Sequence, residues 1–431
     1  MICPNKDCRR NVSPFDATCP NCGTALKSNP VSDYEKKANG IVNRVAGRTE
    51  ALREEIRSGF KMPQNSFRSG GLVHTVTDNL KVGIQGGIFM SSAQTASSGS
   101  VKANVNVDHI KRINWSLINL GVPVVFKIDV ENQTDIPIES VIIRIKLTQN
   151  YSDSWTTTID KIAPAERKRI KDIKLPIFKE RFRTVKESEQ SFISVEMETA
   201  GNIFFSSTFE VQIDPYNQWF VFPSLEASLA GFIIPNSSSV GEVILNTGEH
   251  LKRLCDQSSL HGYQMQSKYT EPMVHAIYLA FQKSLKIDYI NPPSSFDPPG
   301  QKVLVANDIL KLKRGTCLDL ALFYAACIER IGLYPLVFLI PGHAYTGVWK
   351  KEEYFMEFSD WQEENTDDIE LYKKAIEKEY ILPLDSVTFT FPKKDFQCCK
   401  QDGLKHCKEL NGVVDVVRVR DRVKPMALEG E

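Results

Sequence analysis

Between Asn114 and Asp214 the hydrophobic residues of this chain recur with a period of two, and after Asn217 they do not. This switch constrains the fold more than any other feature, because a pattern that buries every second residue suits a strand and not a helix. The runs VVFKIDVEN, SVIIRIKL, SWTTTIDKI, SFISVEMET and IFFSSTFEVQI are rich in β-branched and aromatic residues, and polar turns such as NQTDIPIES and APAERK separate them. Short strands at this spacing predict an all-β immunoglobulin-like sandwich over residues 114–216. No cluster of chemistry-bearing side chains falls within it, which leaves it a spacing or partner-binding role.

At 431 residues the chain exceeds the roughly 100 to 200 residues of one ordinary domain, so a multidomain architecture is expected. Residues 1–30 carry C-x4-C, a ten-residue gap and C-x2-C, formed by Cys3, Cys8, Cys19 and Cys22. Four thiolates in two close pairs can close a tetrahedral Zn2+ site, and so short a segment needs metal to supply its folding energy. This predicts a zinc ribbon with one structural Zn2+. Residues 31–113 read as a helical segment followed by a flexible linker. Ile41, Val45, Leu52 and Ile56 stand at helical separations, and the stretch Met62 to Asn106, with its SSAQTASSGS run, is rich in Ser, Gly, Asn and Gln. Residues 217–431 alternate helical and strand patterns and form an α+β unit, where the chemistry is expected.

The 53 basic and 53 acidic residues cancel, which argues against a dedicated nucleic-acid binder. No run reaches the ~18 apolar residues of a membrane helix, and the start MICPNKDCRR has no secretory apolar region. A cytoplasmic protein without membrane contact is expected. The ribbon and the sandwich are its candidate surfaces for a protein partner.

Within 217–431 the segment KRGTCLDLALFYAACIERIGLYPLVFLIPGHAYTGVW stands out. From Cys317 onward, Leu320, Phe323, Tyr324, Cys327 and Ile331 recur at helical steps, and Gly332 with Pro335 closes the helix before the strand LVFLI. Cys317 therefore heads a buried helix, where free backbone N–H groups favour a thiolate, whereas Cys327 is an ordinary core cysteine. His343 follows Pro-Gly at the start of a strand and is the imidazole placed to serve that thiol as base. The tail run CCKQDGLKHC brings Cys398, Cys399, His406 and Cys407 together; lacking a C-x2-C pair, it reads as a helix with buried thiols rather than a second metal site. DVVRVRDR near the end reads as a strand with a solvated arginine face.

The run from Arg314 to Trp349 resembles the core of the transglutaminase-like superfamily of papain-like cysteine peptidases, where a helix-initial cysteine is followed by a histidine and an aspartate on successive strands. The resemblance extends loosely over about Asn114 to Leu428, through NWSLINLGVPVVFKIDVEN, FIIPNSS, YINPPSSFDPPGQKV and ILPLDSVTFT, to a region at the front of certain bacterial multidomain helicase- or nuclease-associated proteins. It implies a bacterial cysteine protease or amide hydrolase acting on a protein or peptide substrate. Its catalytic triad would be Cys317, His343 and Asp385, working through a thioester with no catalytic cofactor. Asp385 lies 42 residues beyond His343, with DDIELYKKAIEKEY as an insertion, so Asp360, 17 residues on, is the rival acid. Gln301 is the candidate oxyanion donor beside the Cys317 backbone N–H. The alternatives are a protein transamidase and a non-catalytic partner-binding scaffold.

Overall fold

Two largely antiparallel sheets satisfy the period-two pattern. The structure, a computed structural model, describes residues 89–98, 101–220, 225–291, 300–364 and 368–426, all within the unit Leu52–Glu431. Cys3, Cys8, Cys19 and Cys22, and the helix expected between Ser32 and Phe60, lie outside the described residues.

The strands of the first part are β1 (Phe89–Ser98), β2 (Val101–Ile110), β3 (Arg112–Ile113), β4 (Val125–Asn132), β5 (Ile138–Leu147), β6 (Trp155–Ile162), β7 (Arg167–Ile170), β8 (Glu189–Thr199) and β9 (Asn202–Ile213). One sheet has the order β1-β2-β4-β7 and the other β3-β9-β8-β5-β6. Val105 and Val107 of β2, Ile128 and Val130 of β4, Ile143 and Ile145 of β5, and Ile193 and Val195 of β8 are buried two residues apart, and in β4 the alternate residues Lys127 and Asp129 are buried too. Each such apolar side chain contributes about 1.5–3 kcal/mol of burial, which holds the register, because a one-residue slip would turn the whole set to water.

The linker expected over Met62 to Asn106 is corrected from residue 89 onward. SSAQTASS belongs to β1, which pairs residue for residue with β2 from Phe89↔Ile110 to Ser98↔Val101. β1 is an edge strand, so it needs few apolar residues, and Ala96 is its buried one among the described side chains. Its outward Ser91 and Thr95 hydrogen-bond Asn106 and Asn104 across the pair, a contact that composition alone does not reveal.

Two short helices, α1 (Trp115–Leu120) and α2 (Lys179–Arg183), interrupt the strands. Asn114 caps α1 by accepting from the Leu117 N–H, and its amide donates to the Gln218 carbonyl, tying the all-β part to the second part of the chain. That second part contains α3 (Ser238–Cys255), α4 (Thr270–Leu279), α5 (Ala306–Leu312), α6 (Cys317–Arg330), α7 (Glu352–Glu364), α8 (Asp368–Glu377), α9 (Phe396–His406) and α10 (Val416–Val419). Strands β10 (Gln218–Phe220) and β12 (Gly300–Lys302) form one small antiparallel pair, and β11 (Asp288–Tyr289) and β13 (Arg314–Gly315) a parallel one. The main sheet joins β14 (Pro335–Ile340), β15 (His343–Trp349), β16 (Ile381–Leu384) and β17 (Gly412–Asp415) in the antiparallel order β16-β15-β14-β17.

Both faces of this sheet are covered, which is why PLVFLI reads as a nearly continuous apolar run. On one face Val337, Ala344, Val348 and Leu384 join the core that contains α6. On the other, Phe338, Tyr345 and Trp349 pack with Phe355 and Phe358 of α7 and with Leu371, Tyr372 and Ala375 of α8. The charged run DDIELYKKAIEKEY is thus one wall of a second core. DVVRVRDR also differs from expectation: it splits into β17 and α10, and Arg418 is buried against Asp415 instead of facing water. No helix among the described residues is long and apolar enough to cross a membrane.

Candidate functional site

Cys317 is the first residue of α6 and only 5% exposed. Thr316 caps the helix: its Oγ1 accepts from the Asp319 N–H at 3.3 Å, and the Asp319 carboxylate accepts from the Thr316 N–H at 2.9 Å, a reciprocal capping box. The other Asp319 oxygen accepts from the Leu304 N–H at 2.8 Å, so the β12–α5 connection is pinned to the same helix head. Burial raises the Asp319 pKa, against the lowering effect of these N–H donors. Gln301 donates from Nε2 to Thr316 Oγ1 at 3.4 Å, one residue before the thiol. Cys327 is fully buried, and burial raises its thiol pKa well above the usual value.

His343 opens β15 immediately after Gly342, whose φ of 75° is a left-handed turn conformation that glycine adopts without strain. Strand and helix are registered by Thr346, which donates to the Ala321 carbonyl at 3.1 Å. Asp385 follows β16 and caps a 3₁₀ turn, Ser386–Thr390, by accepting from the Val387 N–H at 3.1 Å. Asp360 falls on helix α7, not on a strand, and its side chain lies outside those described.

A histidine that the sequence pattern places among buried thiols completes the arrangement. His406, the last residue of α9, brings Nε2 to 3.3 Å from Asp385 Oδ2, while His343 Nε2 lies 3.4 Å from Asp385 Oδ1. The imidazole centroids are 5.0 Å apart, and the fully buried Tyr345 ring lies 6.2 Å from His343 and 5.6 Å from His406. The side chains of His343, Asp385 and His406 are 20%, 10% and 32% exposed, so the cluster opens toward water on the His406 side. The buried Nε2 of His343 is at ion-pair distance from Asp385 but makes no hydrogen bond. Burial lowers the His343 pKa, but the nearby Asp385 carboxylate and then Cys317 outweigh it and raise the pKa to about 9.

One ligating atom from each of His343, Asp385 and His406 lies within 4.8 Å of the other two, and Cys317 is not a member of this group. The Cys-His-Asp triad expected from the sequence is corrected on that finding: Asp385 is not reserved for His343 but is shared between two imidazoles. With the triad go the transglutaminase-like assignment, the cysteine protease or hydrolase activity, and the transamidase and scaffold alternatives tied to it. The expected cofactor is corrected as well. The metal-ligand group among the described residues lies in the second part of the chain, and its ligands are imidazole and carboxylate; the four cysteines of the expected ribbon lie outside the described residues.

His406 carries a sequence signal, since it ends a helix in a Cys- and His-containing run, but its partners His343 and Asp385 are 63 and 21 residues away. Only the packing of α9 on β16 brings them together.

No protein-family model matches this chain, and no curated protein does. Among solved structures, a protein from Archaeoglobus fulgidus is similar at 10% identity over 29% of this chain and 90% of its own, with a TM-score of 0.16. The exo-chitosanase CsxA of Amycolatopsis orientalis is similar at 9% identity over 54% of this chain and 33% of its own, with a TM-score of 0.17. Likenesses this slight carry nothing about the fold or the chemistry of this chain.

Proposed function

We propose that this chain is a metal-binding protein that holds a divalent transition ion between His343, Asp385 and His406. The observation that carries the reading is the convergence of three ligating atoms from three separate elements to within 4.8 Å of one another. Zinc bonds of about 2.0–2.2 Å in tetrahedral geometry set ligand atoms roughly 3.3 Å apart. The carboxylate–imidazole distances, 3.4 Å from Oδ1 to His343 and 3.3 Å from Oδ2 to His406, are near that spacing, each through a different oxygen of Asp385. A bound ion would also satisfy the buried His343 Nε2, which makes no hydrogen bond. Two imidazoles and a carboxylate form a nitrogen and oxygen set that favours Zn2+ or its neighbours over Mg2+ and Ca2+, which take oxygen. The partial negative charge at the C-terminus of α9, where His406 sits, adds a modest attraction for a cation. Three protein ligands leave a coordination position for an exchangeable ligand, the arrangement of reactive rather than purely structural zinc.

The second part then carries the reactive site, and the all-β part, taken as an immunoglobulin-like sandwich, supplies a surface for a protein partner. A reducing cytoplasm suits the thiols that are free among the described residues, Cys255, Cys317, Cys327, Cys398, Cys399 and Cys407.

The test is Co2+ titration of the metal-stripped full chain, monitored by visible absorption, alongside His406→Ala and Asp385→Ala. Cysteines elsewhere can also take up metal, so the count is the difference between wild type and variants. One equivalent of Co2+ with nitrogen and oxygen ligation, lost in Asp385→Ala and sharply weakened in His406→Ala, is the expected result. Identical uptake by all three proteins would end the reading.

A further inference from the structure

We infer that Gly403 is the positioning residue of this site, seating α9 on the end of β16 so that His406 meets Asp385. The inference rests on the metal-binding reading and concerns what sets the distance between two of its ligands.

A Cβ built on Gly403 would lie 2.8 Å from Leu384 N, 2.8 Å from Pro383 C and 2.9 Å from Pro383 O. All three are backbone atoms of β16, so helix and strand meet main chain to main chain, and a side chain at 403 has no flexible neighbour to displace. One turn earlier on the same helix face, the Cys399 carbonyl accepts from the Asp385 N–H at 3.0 Å. Asp385 is the residue directly after Leu384. Residues 399, 403 and 406 thus form one helix face: the first bonds the backbone of Asp385, the second lies flush on the preceding two residues, and the third reaches the carboxylate.

Metal sites tolerate ligand displacements of only about ±0.2 Å in bond length. Any methyl at position 403 must lift the last turn of α9 off β16, and the lift is delivered to His406 three residues on. His343 and Asp385 are held by β15 and β16 and do not follow. The expected result is a site with two good ligands and one misplaced.

Co2+ affinity and absorption are compared for wild type, Gly403→Ala, His406→Ala and the double variant in the full chain. Gly403→Ala should weaken Co2+ binding by roughly 10- to 100-fold, the range seen when residues that orient ligands are changed, and alter the visible bands. Because it acts through His406, adding it to His406→Ala should cost nothing further. Leu404→Ala, at an exposed neighbouring position, should bind as wild type does. Wild-type affinity in Gly403→Ala, or effects that simply add in the double variant, would overturn the inference. If Gly403→Ala does not fold, the histidine is moved instead: His406→Ala with Lys405→His, and His406→Ala with Cys407→His, should both fail to recover binding, and recovery in either overturns it. A wild type that takes up no Co2+ at this site brings down the metal-binding reading itself, whereas a binding wild type matched by Gly403→Ala brings down this inference alone.

Discussion

Two buried carboxylates close the two outer strands of the main sheet, and the protein treats them in opposite ways. Asp415, at the end of β17, points Oδ2 at Arg418 Nε at 3.0 Å, Trp349 Nε1 at 3.1 Å and the Tyr372 hydroxyl at 3.4 Å. Asp385, just past β16, faces two imidazoles. Arginine keeps its proton throughout the accessible pH range and does not ligate metal, so the Asp415 group is a closed ion pair with one outcome. Imidazole can lose its proton and bind an ion, so the Asp385 group has two. The same residue type is structural where its partners are fixed and a candidate site where they are exchangeable.

The largest expected effect breaks the closed member of the pair. Asp415→Ala leaves the Arg418 charge buried without compensation and should cost about 3–5 kcal/mol of stability in urea unfolding. Replacing both partners, Asp415→Leu with Arg418→Met, should recover most of that loss, because desolvation of two charges is removed together. Measured near about pH 9.5, where His343 has lost its proton, Asp385→Ala should cost much less stability, and it should abolish metal uptake. Comparable stability losses for the two aspartates would erase the distinction between them.

The two clusters also differ in how legible they are in the sequence. The local pattern puts Cys317 at a helix start and His343 at a strand start, and both are found there, because helical periodicity, Gly332, Pro335 and Gly342 act locally. Asp385 reads as a strand residue, yet it caps a 3₁₀ turn just beyond one. His406 joins it only because Gly403 lets α9 lie flat on β16, a long-range contact that no local pattern encodes. Arg418 reads as solvated because DVVRVRDR alternates. The chain instead turns into α10 after Asp415, and the pair is buried under Phe355 and Phe358. The β1–β2 hairpin escapes the periodicity for a third reason: an edge strand can pair fully while exposing small polar side chains.

The next effect is pH dependence, which only the exchangeable cluster should show between neutral and alkaline pH. The His343 pKa in the folded chain is about 9, against 6.5 for the ordinary group. A raised folded-state value adds stability that is fully present below 6.5 and is lost as pH rises through 9. In the metal-free protein this loss should be on the order of 2 kcal/mol between about pH 6 and about pH 9.5, allowing for the partial exposure of the ring. Asp385→Asn should flatten the slope. Metal should reverse it, since binding displaces the imidazole proton and strengthens as pH rises through the same window. A metal-free stability curve that is flat over this range would show that His343 is not held as the imidazolium by its neighbours.

The smallest effect asks where the exchangeable cluster ends. Thr316 belongs to the capping box at the head of α6, one residue from Cys317, and Cys317 in turn acts on His343. If the site consists of the three ligands alone, the helix head serves the fold and not the ion. Thr316→Ala then removes the acceptor for the Asp319 N–H and should cost about 1 kcal/mol of stability, with Thr316→Ser restoring it. Co2+ affinity should stay within about twofold of wild type, ~0.4 kcal/mol, because β15, β16 and α9 keep their places. Urea unfolding and Co2+ titration on the same samples separate the two readouts. A drop in affinity approaching that of Gly403→Ala would mean that α6 holds His343 in place through Cys317. The boundary between structural capping and ligand support would then run through the helix head, and the thiol would have to be counted among the groups that orient the metal ligands.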